Sequence, residues 1–144
     1  MRHDLPNTDR LAFTLAADGV GHLKLTRAEK LNALDPEMID ALIAAGAALH
    51  DMPGLRCLVL SGEGRAFCAG LDLASMAQGL AEAGDLAART HGNANRFQQM
   101  AMQFRKLPMP VIGAIQGACF GGGLQIAAGA DIRVVAPDAR LSVM

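Results

Sequence analysis

Three consecutive glycines, Gly121, Gly122 and Gly123, open the apolar stretch CFGGGLQIAAGA, whose first strongly polar residue is Gln125. Ordering three glycines is entropically costly. The run therefore answers a local requirement: a strand-to-helix turn with positive φ, close packing of two backbones, or main-chain N–H groups exposed at a helix N-terminus, where unpaired donors and the dipole favour negative charge. A second glycine-containing turn, SGEGRAFCAGLDL, follows the apolar run LRCLVL much as the triplet follows VIGAIQ. A dinucleotide fingerprint would need a third glycine where Phe67 stands, no Gly-Lys-Ser/Thr closes a phosphate-binding loop, and no serine has nucleophile-elbow spacing. What remains is two turns, each able to point a backbone N–H into a common cleft, the minimum for holding an oxyanion.

The elements that must carry these turns alternate as in α/β folds. RLAFTLA and GVGHLKL read as strands joined at Asp18-Gly19, a pair suited to a hairpin. Asp35 is a candidate N-cap with Pro36 at the first helical position, and Met38, Ile39, Leu42, Ile43, Gly46 and Leu49 continue at helical spacing to a helix end near Asp51. LRCLVLSG has the pattern of a strand buried on both faces. From Ala74 to Thr90 the chain is alanine-rich and broken by Gly79 and Gly84, a weak helix or mobile loop. Phe97, Met100, Ala101, Phe104 and Leu107 mark a further helix that Pro108 ends, and VIGAIQG and IRVVAP are strands flanking the triple-glycine helix.

At 144 residues and 51% hydrophobic content the chain is the size of one domain with ample core. A net charge of −1, with 13 basic residues scattered along the chain, gives no footprint for nucleic acid or an anionic membrane. No apolar run approaches the roughly 20 residues that span a bilayer, and MRHDLPNTDR has no apolar secretion segment, so the reading is cytoplasmic. Cys57, Cys68 and Cys119 are odd in number and lack metal-type spacing. They read as buried free thiols, and no metal is expected. His3, His22, His50 and His91 fall outside the motifs and read as surface or structural residues.

Three motifs, RAEKLNALDPEM, GRAFCAGLDL and QGACFGGGLQIAAGADIR, resemble the successive signatures of the enoyl-CoA hydratase/isomerase, or crotonase, family. The resemblance runs from about Leu11 to Met144. It implies an α/β, ClpP/crotonase-like superhelix of β-β-α units, formed by residues 1–144 as the N-terminal part of such a domain and incomplete at the C-terminus. It implies acyl-CoA or enoyl-CoA substrates, CoA being part of the substrate and no separate cofactor needed, and assembly as a homotrimer or hexamer. Carried over by residue, the oxyanion donors are the N–H of Leu71 and the N–H of Gly122, with a thioester oxygen lying too near Gly122 for a Cβ. Ala28, Lys30, Leu31, Ala69 and Gly70 are implied contacts of the CoA nucleotide portion, and Arg65 a partner for its phosphates. Asp72 is read as a turn or capping residue and Asp131 as a local hydrogen-bonding group after the helix.

One position departs from the family pattern. Hydratases of the family carry a glutamate two positions after the triplet, where this sequence has Gln125, and a carboxamide cannot serve as a general base although it can orient a water. The family's second catalytic glutamate falls about twenty residues further on, at or just beyond Met144, and the stretch Pro137 to Met144 is expected to be poorly anchored. Three readings stay open: a hydratase or double-bond isomerase of enoyl-CoA, a protein that binds acyl-CoA without turnover, and a structural or regulatory chain that pairs with longer relatives.

Overall fold

The Asp18-Gly19 pair does turn a hairpin. In the computed structural model, which describes residues 5 and 8–144 (residue 82 by its backbone alone), β1 (Leu11–Leu15) runs antiparallel to β2 (Val20–Leu25). Gly19 takes a positive φ of 88° and Asp18 Oδ1 accepts the Val20 N–H at 3.0 Å. Helix α1 (Pro36–His50) begins where Asp35 accepts the Met38 N–H at 2.8 Å, with proline in the first turn. Its apolar stripe, including Met38, Ile39, Leu42 and Leu49, is buried.

β3 (Cys57–Gly62) lies parallel to β2. Only one of its faces is fully buried. Leu58, Leu60 and Gly62 point into the core, whereas Val59 and Ser61 are half-buried beside the exposed His22 and Lys24 of β2. The expectation of a strand buried on both faces fails because its neighbour carries polar residues on that side. After β3 come α2 (Leu73–Glu82), α3 (Arg96–Met102), β4 (Val111–Ile115), β5 (Ala118–Phe120), α4 (Gly122–Gly129), β6 (Ile132–Val135) and β7 (Arg140–Ser142). The alanine-rich segment is thus helical in its first part. A capping box of Asn95 and Gln98 starts α3, which tightens into a 3₁₀ turn over Gln103–Lys106 before Pro108.

The larger sheet has the order β1-β2-β3-β4-β6, with every pairing after the hairpin parallel. A two-stranded parallel sheet of β5 and β7 stands apart from it. Strand, strand and helix follow one another in β1-β2-α1 and again in β4-β5-α4. The core between helices and sheet includes Leu23, Leu58, Phe67, Met100 and Phe104.

Two expectations are corrected by these pairings. Within the stretch Pro137 to Met144, Arg140–Ser142 is tied down: Arg140 N–H donates to Gly117 O at 2.9 Å and Gly121 N–H to Ser142 O at 2.9 Å, because β7 finds a partner in β5 within the same chain, while Val143 and Met144 stay exposed. Asp131 does not act locally. Its N–H donates to Val111 O and its Oδ2 accepts the Val111 N–H, both at 2.8 Å, which fastens the start of β6 to the start of β4.

Candidate active site

The turn after β3 is held from below by the motif that follows β2. Leu31 and Asn32 both adopt positive φ, 52° and 54°, a conformation that non-glycine residues rarely take without support. Asn32 supplies that support. Fully buried, it accepts the Arg27 N–H at 2.9 Å through Oδ1 and donates through Nδ2 to Glu63 O at 3.0 Å and Ala66 O at 2.9 Å. Main-chain bonds then lace the two segments: Ala69 N–H to Leu31 O at 3.0 Å, Leu34 N–H to Gly70 O at 2.8 Å, and Asp72 N–H to Leu34 O at 2.9 Å. This is a parallel bridge of Leu34 and Leu71 in which Leu34 uses both its main-chain groups. The N–H and C=O of Leu71 therefore point away from Leu34, toward the other side of the turn.

The second turn meets the first backbone to backbone. A Cβ at Gly70, where φ is 94°, would stand 2.9 Å from Phe120 O, and Cys68 bridges Cys119 through Cys68 N–H to Ala118 O at 3.1 Å and Phe120 N–H to Cys68 O at 3.0 Å. Each glycine of the triplet has its own reason. Gly121 turns the chain into α4 with φ 51° and ψ −118°, a Cβ at Gly122 would fall 2.6 Å from Leu34 Cδ1, and one at Gly123 would overlap the Cys68 carbonyl and lie 2.7 Å from its Cβ. The space denied to a side chain at Gly122 is thus already filled by Leu34 and Met100, which corrects the expectation that a substrate oxygen excludes it. Gly122 and Gly123 begin α4, where N–H groups have no intrahelical partner.

Between the turns lies a cavity of about 600 Å³. Ala69, Gly70, Leu71, Gly122 and Gln125 all line it, so five of the residues singled out from sequence meet at one cavity. The rest of its lining is mostly apolar: Leu73 and Leu80 of α2, Leu86, Phe97 and Met100, with Val143 and Met144 beside Gly121. Among the described residues no Asp, Glu, His, Lys or Arg lines it. Of its polar side chains, Asn95 and Gln98 are engaged in the capping box of α3, while Gln125 is exposed one helical turn beyond Gly122. Ala28, Lys30, Leu31 and Arg65 do not line this cavity. They gather beside it: Ala28 and Lys30 form a 3₁₀ turn, a Cβ on Gly64 would lie 3.0 Å from that of Ala28, Lys30 and Arg65 are exposed, and Leu31 O holds Ala69.

Charge is concentrated just behind the first turn. Asp72 caps α2 through the Ser75 N–H and hydroxyl, and it pairs with Arg27 Nη1 at 2.9 Å. Arg27 Nη2 lies 3.7 Å from Asp35, which also pairs with Arg10 at 2.7 Å. The hydrogen bond from Arg27, then that from Ser75, holds the Asp72 carboxyl below the usual range. For Asp35, burial pushes upward, but hydrogen bonds from Arg10 and the Met38 N–H together with Arg27 bring the net shift down. These carboxylates are capping groups engaged with arginine. Burial pushes the Cys68 thiol up to about 12 and the Cys119 thiol to about 11, so neither is a nucleophile at neutral pH. Cys57 is only half-buried, His22 and His50 are exposed, and His91 is half-buried away from the cavity; His3 lies outside the described residues.

The network of Arg27, Asn32 and Asp35 was not singled out as functional, although all three stand in the motif RAEKLNALDPEM. The structure separates them from Glu29, Lys30 and Glu37 of the same motif, which are exposed while these three are buried. Among the described residues no group of His, Cys, Asp and Glu could hold a metal ion, and no helix is long and apolar enough to cross a membrane.

With this geometry in place, the comparisons with known proteins are specific. The family described as enoyl-CoA hydratase/isomerase matches residues 16–144. A Mycobacterium leprae protein named "Probable enoyl-CoA hydratase echA6" is 38% identical over 126 residues, which cover 85% of this chain and 47% of that protein. The mouse mitochondrial Delta(3,5)-Delta(2,4)-dienoyl-CoA isomerase is 34% identical, over 92% of this chain and 42% of its own length. Among solved structures, an enoyl-CoA hydratase from Shewanella pealeana superposes with a TM-score of 0.77 at 30% identity, covering 92% of this chain and 48% of the other. The chain spans about half the length of the relatives it matches.

Proposed function

The chain belongs to the enoyl-CoA hydratase/isomerase family and shares its crotonase fold, and from that premise we propose that it acts on acyl-CoA thioesters, with the thioester oxygen held by the N–H groups of Leu71 and Gly122. One observation carries this reading: Leu71, whose N–H is turned away from its bridge partner, and Gly122, at the unpaired start of α4, border one cavity whose lining is mostly apolar. Two such donors stabilise an enolate-like oxyanion, and the positive end of α4 adds to them. Losing one donor of this kind typically costs roughly 3–4 kcal/mol of transition-state stabilisation. Ala28, Lys30, Leu31 and Arg65, gathered beside the cavity, receive the CoA nucleotide portion, and Ala69 and Gly70 lead from it to the thioester. CoA arrives as part of the substrate, so no separate cofactor is required.

The reaction class is hydration or double-bond isomerisation of an enoyl-CoA. Gln125 orients a water or the acyl group and does not take a proton. That none of the described residues lining the cavity is Asp, Glu, His, Lys or Arg also favours a second reading, acyl-CoA binding without turnover. We assign the protein to the cytoplasm and, on the family resemblance, to a homotrimer or hexamer; light scattering of the eluting protein measures the assembly.

Calorimetry with butyryl-CoA and with S-butyl-CoA, which differ only in the thioester carbonyl, tests the proposal. Two hydrogen bonds to that carbonyl, each worth about 0.5–1.5 kcal/mol, give butyryl-CoA an advantage of roughly tenfold. Equal affinities would remove Leu71 and Gly122 as carbonyl ligands.

A further inference from the structure

Arg27 is buried, does not line the cavity between the turns, and yet sits where the two helix-capping carboxylates converge. Its Nη1 donates to Ala33 O at 3.0 Å and meets Asp72 Oδ2 at 2.9 Å, and its Nη2 lies 3.7 Å from Asp35 Oδ2. Its own backbone is fixed from both sides: its N–H donates to Asn32 Oδ1 at 2.9 Å and its C=O accepts the N–H groups of Lys30 and Asn32. The guanidinium thus spans the segment Ala33 to Asp35 on one side and Asp72 on the other. Between these anchors runs the bridge of Leu34 with Leu71.

We propose that Arg27 is a positioning residue for the Leu71 N–H: by clamping Asp72 to the Ala33–Asp35 segment, it fixes the peptide that presents Leu71 to the cavity. This rests on the reading of Leu71 as a carbonyl ligand. Asp72 is the residue immediately after Leu71, it caps α2 with the same side chain that Arg27 grips, and its N–H already bonds Leu34 O at 2.9 Å. The Gly70–Leu71 peptide, which carries the Leu71 N–H, is held through Gly70 O by the Leu34 N–H at 2.8 Å, and the following peptide through the Asp72 N–H; a further anchor on the Asp72 side chain limits how the pair can turn about these two bonds. A fork of fixed donors suits this task because a planar guanidinium can hold a carboxylate and a carbonyl at set angles, which a lysine ammonium cannot. Without the guanidinium, Asp35 keeps Arg10, but Asp72 keeps only Ser75 and has reason to turn toward water, carrying the Leu71 peptide with it.

The test is the affinity ratio of butyryl-CoA to S-butyl-CoA, measured calorimetrically for the unaltered protein, Arg27→Gln and Arg27→Lys, with the melting temperature of each. We expect the ratio, roughly tenfold at the start, to fall below about threefold in Arg27→Gln while the affinity for S-butyl-CoA stays within about twofold, and to recover in part in Arg27→Lys. A general loss of stability would weaken both ligands together and leave the ratio alone. If Arg27→Gln does not fold, Asp72→Asn, which keeps a capping oxygen but not the charge that Arg27 grips, should show the same collapse of the ratio. A ratio that survives in the folded variant overturns the role of Arg27 alone. A ratio near one in the unaltered protein overturns the Leu71 reading, and this inference with it.

Discussion

Leu34 touches both turns of the site: its main chain bridges Leu71, and its Cδ1 occupies the place, 2.6 Å from an ideal Cβ, that a side chain at Gly122 would need. The two proposed donors are therefore registered against one fully buried leucine. Leu34→Ala should cost about 2–5 kcal/mol and Gly122→Ala about 1–3 kcal/mol through overpacking. Because the cavity left by the first receives the methyl group of the second, the double variant should fall short of the summed loss by at least about 0.5 kcal/mol. Urea denaturation of the four proteins checks this; strict additivity would contradict the contact.

The acid limb of stability should depend on Asp35 and Asp72. Both carboxyls are held below their ordinary value of 3.8 in the folded chain, so their contribution is complete above that value and is lost as the pH falls through the lower folded one. Melting temperatures measured from about pH 6 down to about pH 2 should fall less steeply for Asp72→Asn than for the unaltered protein. Parallel curves would mean that the pairing with Arg27 does not favour the ionised form.

Much of this arrangement was legible in the sequence because it is local. Asp18-Gly19, the pairing of Asp35 with Pro36, and the Phe97 to Phe104 stripe each declare their element within a few residues. What was not legible depends on distant partners. β5 and β7 are three residues each and exist only because they pair with one another, Asp131 binds a residue twenty positions earlier, and Gly122 owes its missing side chain to Leu34 and Met100. The glycine triplet declares a place of close approach, but sequence could not say that Leu34, Met100 and Cys68 do the approaching.

Amide exchange separates the anchored chain end from the exposed segment before α3. Arg140, whose N–H is bonded to Gly117 O, and Gly121, bonded to Ser142 O, should exchange far more slowly than the amides of Leu86 and Gly92, whose residues are exposed. Equal rates would show that the β5–β7 pair opens freely.

Gln125→Glu would place a carboxylate in a cavity that no Asp or Glu among the described residues lines. General-base assistance is typically worth about 10²–10⁴-fold. Hydration of crotonyl-CoA should accordingly be slow in the unaltered protein and faster in the variant. A rate that is already high and indifferent to the substitution would show that Gln125 does not stand in the path of the attacking water.

The most direct measurement is the carbonyl stretch of butyryl-CoA labelled with carbon-13 at the thioester carbon, followed by infrared difference spectroscopy as the ligand binds. If the N–H groups of Leu71 and Gly122 both reach the oxygen, the band moves to lower frequency and narrows, as expected for a carbonyl polarised by fixed donors in a cavity walled by Leu73, Leu80 and Phe97. A bound ligand whose band stays at its solution frequency would contradict the account.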